Sequence, residues 1–224
     1  MSSAILMETS APPTHERVYQ SLRDMILFGD LRPGHTVTLQ GIADQLDVSM
    51  TPVREAVRRL IAEQALQLHG NRRISVPLIN SSRLEELYDV RLLLEPKLAA
   101  KSLLFERNNL AVRLEKIDIQ VDEAIASGDI KTYLTQNYRF HFELYESANS
   151  TIYLPIIASL WLQVGPFLRV VCGRMGTSSL ADHHKSAIDA ILKNDKKRLM
   201  NEIRKDLSQG LEQLRVEIRD VEAR

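Results

Sequence analysis

The sequence predicts a mostly α-helical protein: an N-terminal winged helix-turn-helix with a small β-ribbon wing, then a C-terminal all-α bundle of six to seven helices. Three observations carry that reading. Residues 39 to 76 run as helix, tight turn, helix and short hairpin. From Ser82 onward the chain shows helical periodicity and no strand pattern. Between them, Pro77 to Ser81 reads as a linker. The expected domains are therefore a flexible arm over 1–13, a winged helix over 14–78 and a helical domain over 79–224.

Taken in order, Thr14 to Phe28 places Val18, Leu22, Met25 and Ile26 on one helical face, and Gly29 ends it. Leu31-Arg32-Pro33-Gly34 is a turn. Leu39, Ile42, Ala43 and Leu46 follow the i, i+3, i+4, i+7 spacing of a buried helical stripe. Asp47-Val48-Ser49 is long enough only for a turn, and Ser49 or Thr51 can cap the second helix of the motif. Pro52 fits only the first turn of a helix, so it fixes where that second helix starts. The helix buries Val53, Ala56, Val57 and Leu60 and turns Thr51, Arg54 and Arg58 outward. Leu66 and Leu68, then Ile74 and Val76, alternate with polar residues around His69-Gly70-Asn71-Arg72-Arg73, a hairpin with a cationic tip.

Formal net charge is zero over 224 residues, and the distribution is more informative than the total. Residues 14 to 78 hold eight arginines and no lysine against seven acids. Five of those arginines (54, 58, 59, 72 and 73) fall within twenty residues that contain only Glu55 and Glu63 as acids. A focused cationic patch suits a specific reader of a duplex groove: arginine forks reach guanine edges or phosphates, and hydroxyls take the backbone. A solvated helix face is the alternative for Arg54 and Arg58 alone.

Cys172 is the lone cysteine, which excludes an internal disulfide, and its apolar neighbours predict a buried thiol. No apolar run approaches a membrane span. The start, MSSAILMETSAPP, lacks the basic and apolar regions of a signal peptide, so the expectation is a cytoplasmic protein with no membrane partner.

In the second half, Ser82-Arg83-Leu84-Glu85 reads as a capping box opening a long helix, which Pro96 should bend or break. A further helix carries Leu110, Leu114, Ile117, Val121 and Ile125. Ser127-Gly128-Asp129 is a stop followed by a cap, and the next helix runs to about Ser147. Tyr153 to Cys172 is a long apolar segment with Pro155 and Pro166 as kinks. Trp161 and the Leu162 to Phe167 stretch read as core or dimer surface. Two last helices meet at Lys193-Asn194-Asp195.

Asn137 and His141, four apart, sit on one face amid Tyr133, Leu134, Phe140 and Leu144, where polar groups need partners. His184 and Asp206 flank the 193–195 turn almost symmetrically, so across an antiparallel hairpin their side chains can meet. His183, next door, must point elsewhere, and solvent is the expected direction. Arg91, Arg139 and Arg169 are candidates to hold an acidic effector by bidentate contact, with ordinary ion pairs as the alternative.

VSMTPVREAVRRL, with the Leu31–Gly34 turn before it, resembles the recognition segment of GntR-family bacterial regulators, which runs close to VSRTPVREALRRL. Met50 stands where the family usually has an arginine, and Arg73 where a wing glycine is common; both bear on which bases are read. The helical half resembles the FCD effector domain of the FadR branch. The likeness covers residues 15 to 215. It implies contact with operator DNA through Arg54, through residues around Ser49 and Thr51, and through the wing, here His69 and Arg72. Arg58 shares that face, and Arg32 reaches a phosphate or is a plain surface residue.

The FCD resemblance also implies a divalent metal held by the positions of Asn137, His141, His184 and Asp206, where Asn replaces the family's usual Asp and Asp its last His. Zn²⁺, Ni²⁺ or Mn²⁺ suits such a set. A metal-free effector pocket and a purely structural network are the other readings.

The expectation is a metabolite-responsive transcriptional regulator, a repressor by family resemblance. It would bind an inverted-repeat operator as a homodimer and respond to a small carboxylate metabolite. The alternatives are a metal-dependent hydrolase using the His/His/Asp cluster, for which no general base is evident, and a module whose winged helix docks on protein.

Overall fold

The computed structural model describes residues 13–70, 73–105, 107–175 and 182–222. The expected arm over 1–13 lies outside them but for Pro13, and so does Arg72.

Helix α1 (Thr14–Leu27) packs against α3 (Met50–Ala62), with α2 (Leu39–Gln45) alongside. The apolar stripes meet as their spacing requires: Val18, Leu22 and Ile26 from α1 and Val53, Ala56, Val57 and Leu60 from α3 are all buried. Asp47 takes a positive φ of 51° in the turn, and the Val48 amide returns to the Ala43 carbonyl at 3.0 Å, closing α2 tightly before α3 starts. Pro52 sits in the first turn of α3, where it displaces no helical hydrogen bond.

The wing is a three-stranded antiparallel sheet in the order β1-β3-β2, from β1 (Thr36–Thr38), β2 (Gln67–His69) and β3 (Arg73–Ser75). Ile74 is the buried centre of the register, flanked by Val37 and Leu68. β1 had no sequence signal because three residues after Pro33-Gly34 are too few to show alternation.

Among the described residues the second half holds six helices: α4 (Ser81–Ser102), α5 (Arg107–Ser127), α6 (Ile130–Glu146), α7 (Tyr153–Met175), α8 (His183–Leu192) and α9 (Lys196–Glu222). Asn80, not Ser82, caps α4, accepting the Arg83 amide at 2.9 Å. Pro96 neither bends α4 enough to end it nor breaks it. The helix continues to Ser102 because Leu98, Ala99 and Ala100 beyond the proline are all buried, which offsets the one lost backbone bond. Gly128, at φ 71°, ends α5, and Asp129 caps α6 by accepting the Thr132 amide at 3.1 Å. Among the described residues no helix is long and apolar enough to cross a membrane.

The winged helix rests on α4, α6 and α7. Gly165 lets α7 approach α1 so closely that a Cβ there would lie 3.3 Å from the Leu27 carbonyl oxygen. Gly29, at φ 77°, is covered by the stem of Arg169, whose Cδ would stand 2.1 Å from an added Cβ. The Ser159 hydroxyl donates to the Glu63 carbonyl at 3.1 Å, and Arg83 bridges Gln64 and Gln163 at 2.7 Å each.

Candidate DNA interface and candidate metal centre

Two sets of polar side chains stand out, one exposed and one largely buried. On α3, Thr51, Arg54 and Arg58 face solvent while the apolar stripe holds the helix down. Arg59, on the same helix, is differently placed. Its guanidinium lies 3.6 Å from the Tyr19 ring centroid and pairs with Glu16 at 3.0 Å and Glu63 at 3.3 Å. Among the described residues neither Arg54 nor Arg58 joins an ion pair. Ser49 occupies the N-cap position but makes no side-chain cap bond, so its hydroxyl is free to bond elsewhere. Arg32 is exposed in its turn. His69 is exposed on β2, its Nε2 2.8 Å from the Ser75 hydroxyl, and faces Arg73 across the ladder. Exposed on α3 are thus two arginines that join no ion pair among the described residues, with the Ser49 and Thr51 hydroxyls at its start.

The enclosed set lines a cavity of about 260 Å³ between α4, α5, α6, α7, α8 and α9. His141 comes from α6, His184 from α8 and Asp206 from α9, and their ligand atoms all lie within 4.8 Å of one another. Asn137, one turn before His141, lines the same cavity. The hairpin geometry read from spacing therefore places His184 and Asp206 together, with Nε2 to Oδ1 at 3.9 Å.

The hydrogen bonds set the orientation of both rings. Tyr145 donates its hydroxyl hydrogen to Glu95 at 2.7 Å, so its oxygen accepts from His141 Nδ1–H at 3.2 Å. That turns His141 Nε2 toward Asp206, 3.1 Å away. His184 donates Nδ1–H to Asp118 at 3.1 Å, and its Nε2 is buried with no hydrogen-bond partner. Two imidazoles with Nδ1 engaged and Nε2 turned toward one carboxylate form a donor set suited to a divalent ion, in the carboxylate–histidine arrangement that surrounds protein-bound metals.

The electrostatics agree. Burial alone would raise the Asp206 carboxyl, but the charges of the His141 and His184 rings outweigh it and bring it down to about 2. Burial alone would lower the His184 imidazole; the hydrogen bond to Asp118 and the charge of Asp206 overcome that and raise it. A cation is favoured at this point, whether a proton on the ring or a metal.

Sequence reasoning missed Asp118 and Glu95. Asp118 lies in the apolar register of Leu114, Ile117 and Val121, and an acid in a buried stripe is a readable signal. Glu95 follows Arg91 by four residues on α4. Fully buried, it accepts from Arg91 Nε at 2.5 Å, Tyr145 Oη at 2.7 Å and Trp161 Nε1 at 3.1 Å. Trp161 is core, as its apolar context indicated, and also lines the cavity. Cys172 is a buried thiol on the same wall.

Of the three arginines expected to hold an effector, only Arg91 lines the cavity. Arg139 is exposed on α6 beside Gln136, and Arg169 lies in the seam against Gly29 with its Nη1 buried there, so neither lines the cavity. His183 does not point to solvent: it lines the cavity rim and its Nδ1 lies 3.0 Å from Glu202.

A winged helix with unpaired arginines, joined to a helical domain around a polar cavity, defines a DNA-binding transcriptional regulator. The family descriptions "Bacterial regulatory proteins, gntR family" and "FCD domain" match residues 14–76 and 86–209. McbR, an HTH-type transcriptional regulator of Escherichia coli, is 29% identical over 170 residues, 75% of this chain and 76% of that protein. The gluconate operon transcriptional repressor of Bacillus subtilis is 30% identical over 132 residues, 59% of this chain and 54% of the repressor. The fold superposes on the solved structure of E. coli McbR/YncC with a TM-score of 0.86 at 24% identity, covering 91% of this chain and 98% of that one. The chain belongs to the GntR family of bacterial transcriptional regulators, with an FCD second domain. The hydrolase alternative falls with that assignment, since these relatives are DNA-binding regulators and not enzymes.

Proposed function

We propose that this protein is a repressor that binds an inverted-repeat operator as a homodimer, and that a small carboxylate held through a divalent metal in the helical domain shifts its affinity for DNA. The observation that carries the DNA half is the contrast on α3: Arg59 is tied to Glu16, Glu63 and Tyr19, while Arg54 and Arg58 are left for a partner outside the fold. Thr51, Ser49, His69 and Arg32, all exposed, would add hydroxyl, ring and cationic contacts, and Arg72 belongs to the wing tip by sequence. One winged helix buries too little duplex for useful specificity, and two half-sites about one turn apart supply it.

The metal half rests on the partnerless Nε2 of His184 facing Asp206 and His141. Asn137, on the same cavity wall, would add an amide oxygen to the residues that would hold Zn²⁺, Ni²⁺ or Mn²⁺, and the ion would supply a Lewis-acid centre for a carboxylate. The likeness to gluconate operon repressors supports an organic or sugar acid as the signal and repression as its sense.

Communication between the two halves has a physical route. Trp161 lines the cavity, and Tyr138 meets it edge-on at 5.6 Å. Tyr138 in turn meets Phe28 edge-on at 5.9 Å, and its hydroxyl accepts from Arg23 of α1 at 3.2 Å. An effector that moves Trp161 acts on the helix against which α3 is packed, which is the differential contact a switch requires.

The test captures genomic fragments with the purified protein, then measures the affinity of the recovered fragment for wild type and for Arg54→Ala. Specific, salt-dependent binding by a dimer that weakens in the variant supports the reading. Capture of random sequence, or equal affinity, refutes it.

A further inference from the structure

We infer that the cavity selects a monoanion: one carboxylate on the metal, attached to a neutral body. This rests on the metal-and-carboxylate reading above and adds which acids are refused. The charges on the walls decide it. Arg91 is the only arginine or lysine among the described lining residues, and its charge is already answered by a buried carboxylate. Its Nε is bonded to Glu95 at 2.5 Å and its Nη2 reaches the other Glu95 oxygen at 3.5 Å. Its guanidinium also lies near the Tyr88 and Trp161 rings, 5.0 and 4.5 Å from their centroids. The pair is buried, so turning the arginine wholly to a ligand would leave Glu95 without a counter-charge, held only by Tyr145 and Trp161.

The remaining charges on the walls are carboxylates or are already paired. Asp118 accepts from His184, and Lys185 clamps Asp122 and Asp182 at 2.7 and 2.8 Å. His183 faces Glu202. A first carboxylate finds the metal. A second, anywhere else in a cavity of this size, meets aspartates and, among the described lining residues, no free cation. Gln209, Gln213 and Tyr133 offer neutral hydrogen-bonding groups for the body of the ligand, and Val121, Ile125 and Leu168 offer apolar ones. A carboxylate held against those aspartates without a cationic partner loses about tenfold or more in affinity.

The experiment uses the full-length protein loaded with Zn²⁺ and two series in which only the number of terminal carboxylates changes: sorbitol, gluconate and glucarate, and hexanol, hexanoate and adipate. Calorimetry should show, in at least one series, the monoanion binding about tenfold or more tighter than both its neutral and its dianionic neighbours. A dianion that binds as tightly as its monoanion, or more tightly, overturns the inference while leaving a carboxylate effector in place. A neutral member that matches its monoanion, a response that is the same without Zn²⁺, or no binding in either series overturns the carboxylate reading itself, and this inference with it.

Discussion

Arg54 and Arg91 are the same side chain in opposite circumstances. Arg54 stands on the exposed edge of α3 with no ion pair among the described residues. Arg91 is 2% exposed, and its carboxylate partner Glu95 is buried beside it. Water solvates the first charge at little cost, so the fold need not answer it and a duplex can. The second is tolerated only because Glu95 compensates it, and Tyr145 and Trp161 compensate Glu95 in turn. What an arginine can offer a ligand is thus set by what already holds it.

The largest effect should follow from breaking the buried pair. Glu95→Ala leaves Arg91 charged and unanswered in the core, at a cost of about 3–5 kcal/mol, and frees the Tyr145 hydroxyl that orients His141. Denaturant unfolding should show the loss; a variant as stable as wild type would mean the pair is not enclosed in solution. Asp118→Asn comes next. It keeps a group that can accept from His184 but removes the charge behind the ring, and metal affinity should fall about 10–100-fold with the fold intact. Competition with a chelator measures it, and an unchanged affinity would remove Asp118 from the site.

Acid and base sharpen the same contrast between answered and unanswered charge. Asp206 is held down to about 2, so its ionic contribution is present above its ordinary 3.8 and lost as pH falls toward 2. His184 is raised, so its contribution is present below 6.5 and lost as pH climbs through the raised value. Metal-free protein should therefore melt highest in mildly acidic buffer and less well toward alkaline pH. Metal-loaded protein should gain with rising pH, because metal and proton compete for Nε2. Melting curves of both forms across pH check it, and parallel profiles would place the metal elsewhere.

Legibility in the sequence divides along similar lines. The stripes of α1 and α3 and the Pro52 start were legible because local periodicity and one proline determine them. So was the meeting of His184 and Asp206, since a short antiparallel hairpin fixes height along both helices. Strand β1 was not, being three residues with no pattern of its own. Asn80 displaced Ser82 as the cap because either can accept an amide, and the register of α4 is settled by the packing of Leu84 and Leu87. That Arg91 and not Arg139 or Arg169 lines the cavity was not legible, because charge is visible in a sequence and the side of a helix that faces a cavity is not.

The smallest effect separates neighbours on one helix. Arg54→Ala should leave unfolding unchanged and weaken operator binding by about 1–3 kcal/mol, with a shallower salt dependence if phosphate is its partner. Arg59→Ala should do the reverse. It removes surface ion pairs to Glu16 and Glu63 and the contact over Tyr19, worth about 0.5–1 kcal/mol of stability, and should barely alter DNA affinity. Both residues are exposed and cationic and lie within two turns of each other, so a general loss of positive charge would weaken DNA binding in both alike. Only if partners, rather than charge, decide which arginine reads DNA will the two variants part, and gel-shift titrations alongside urea melts would show whether they do.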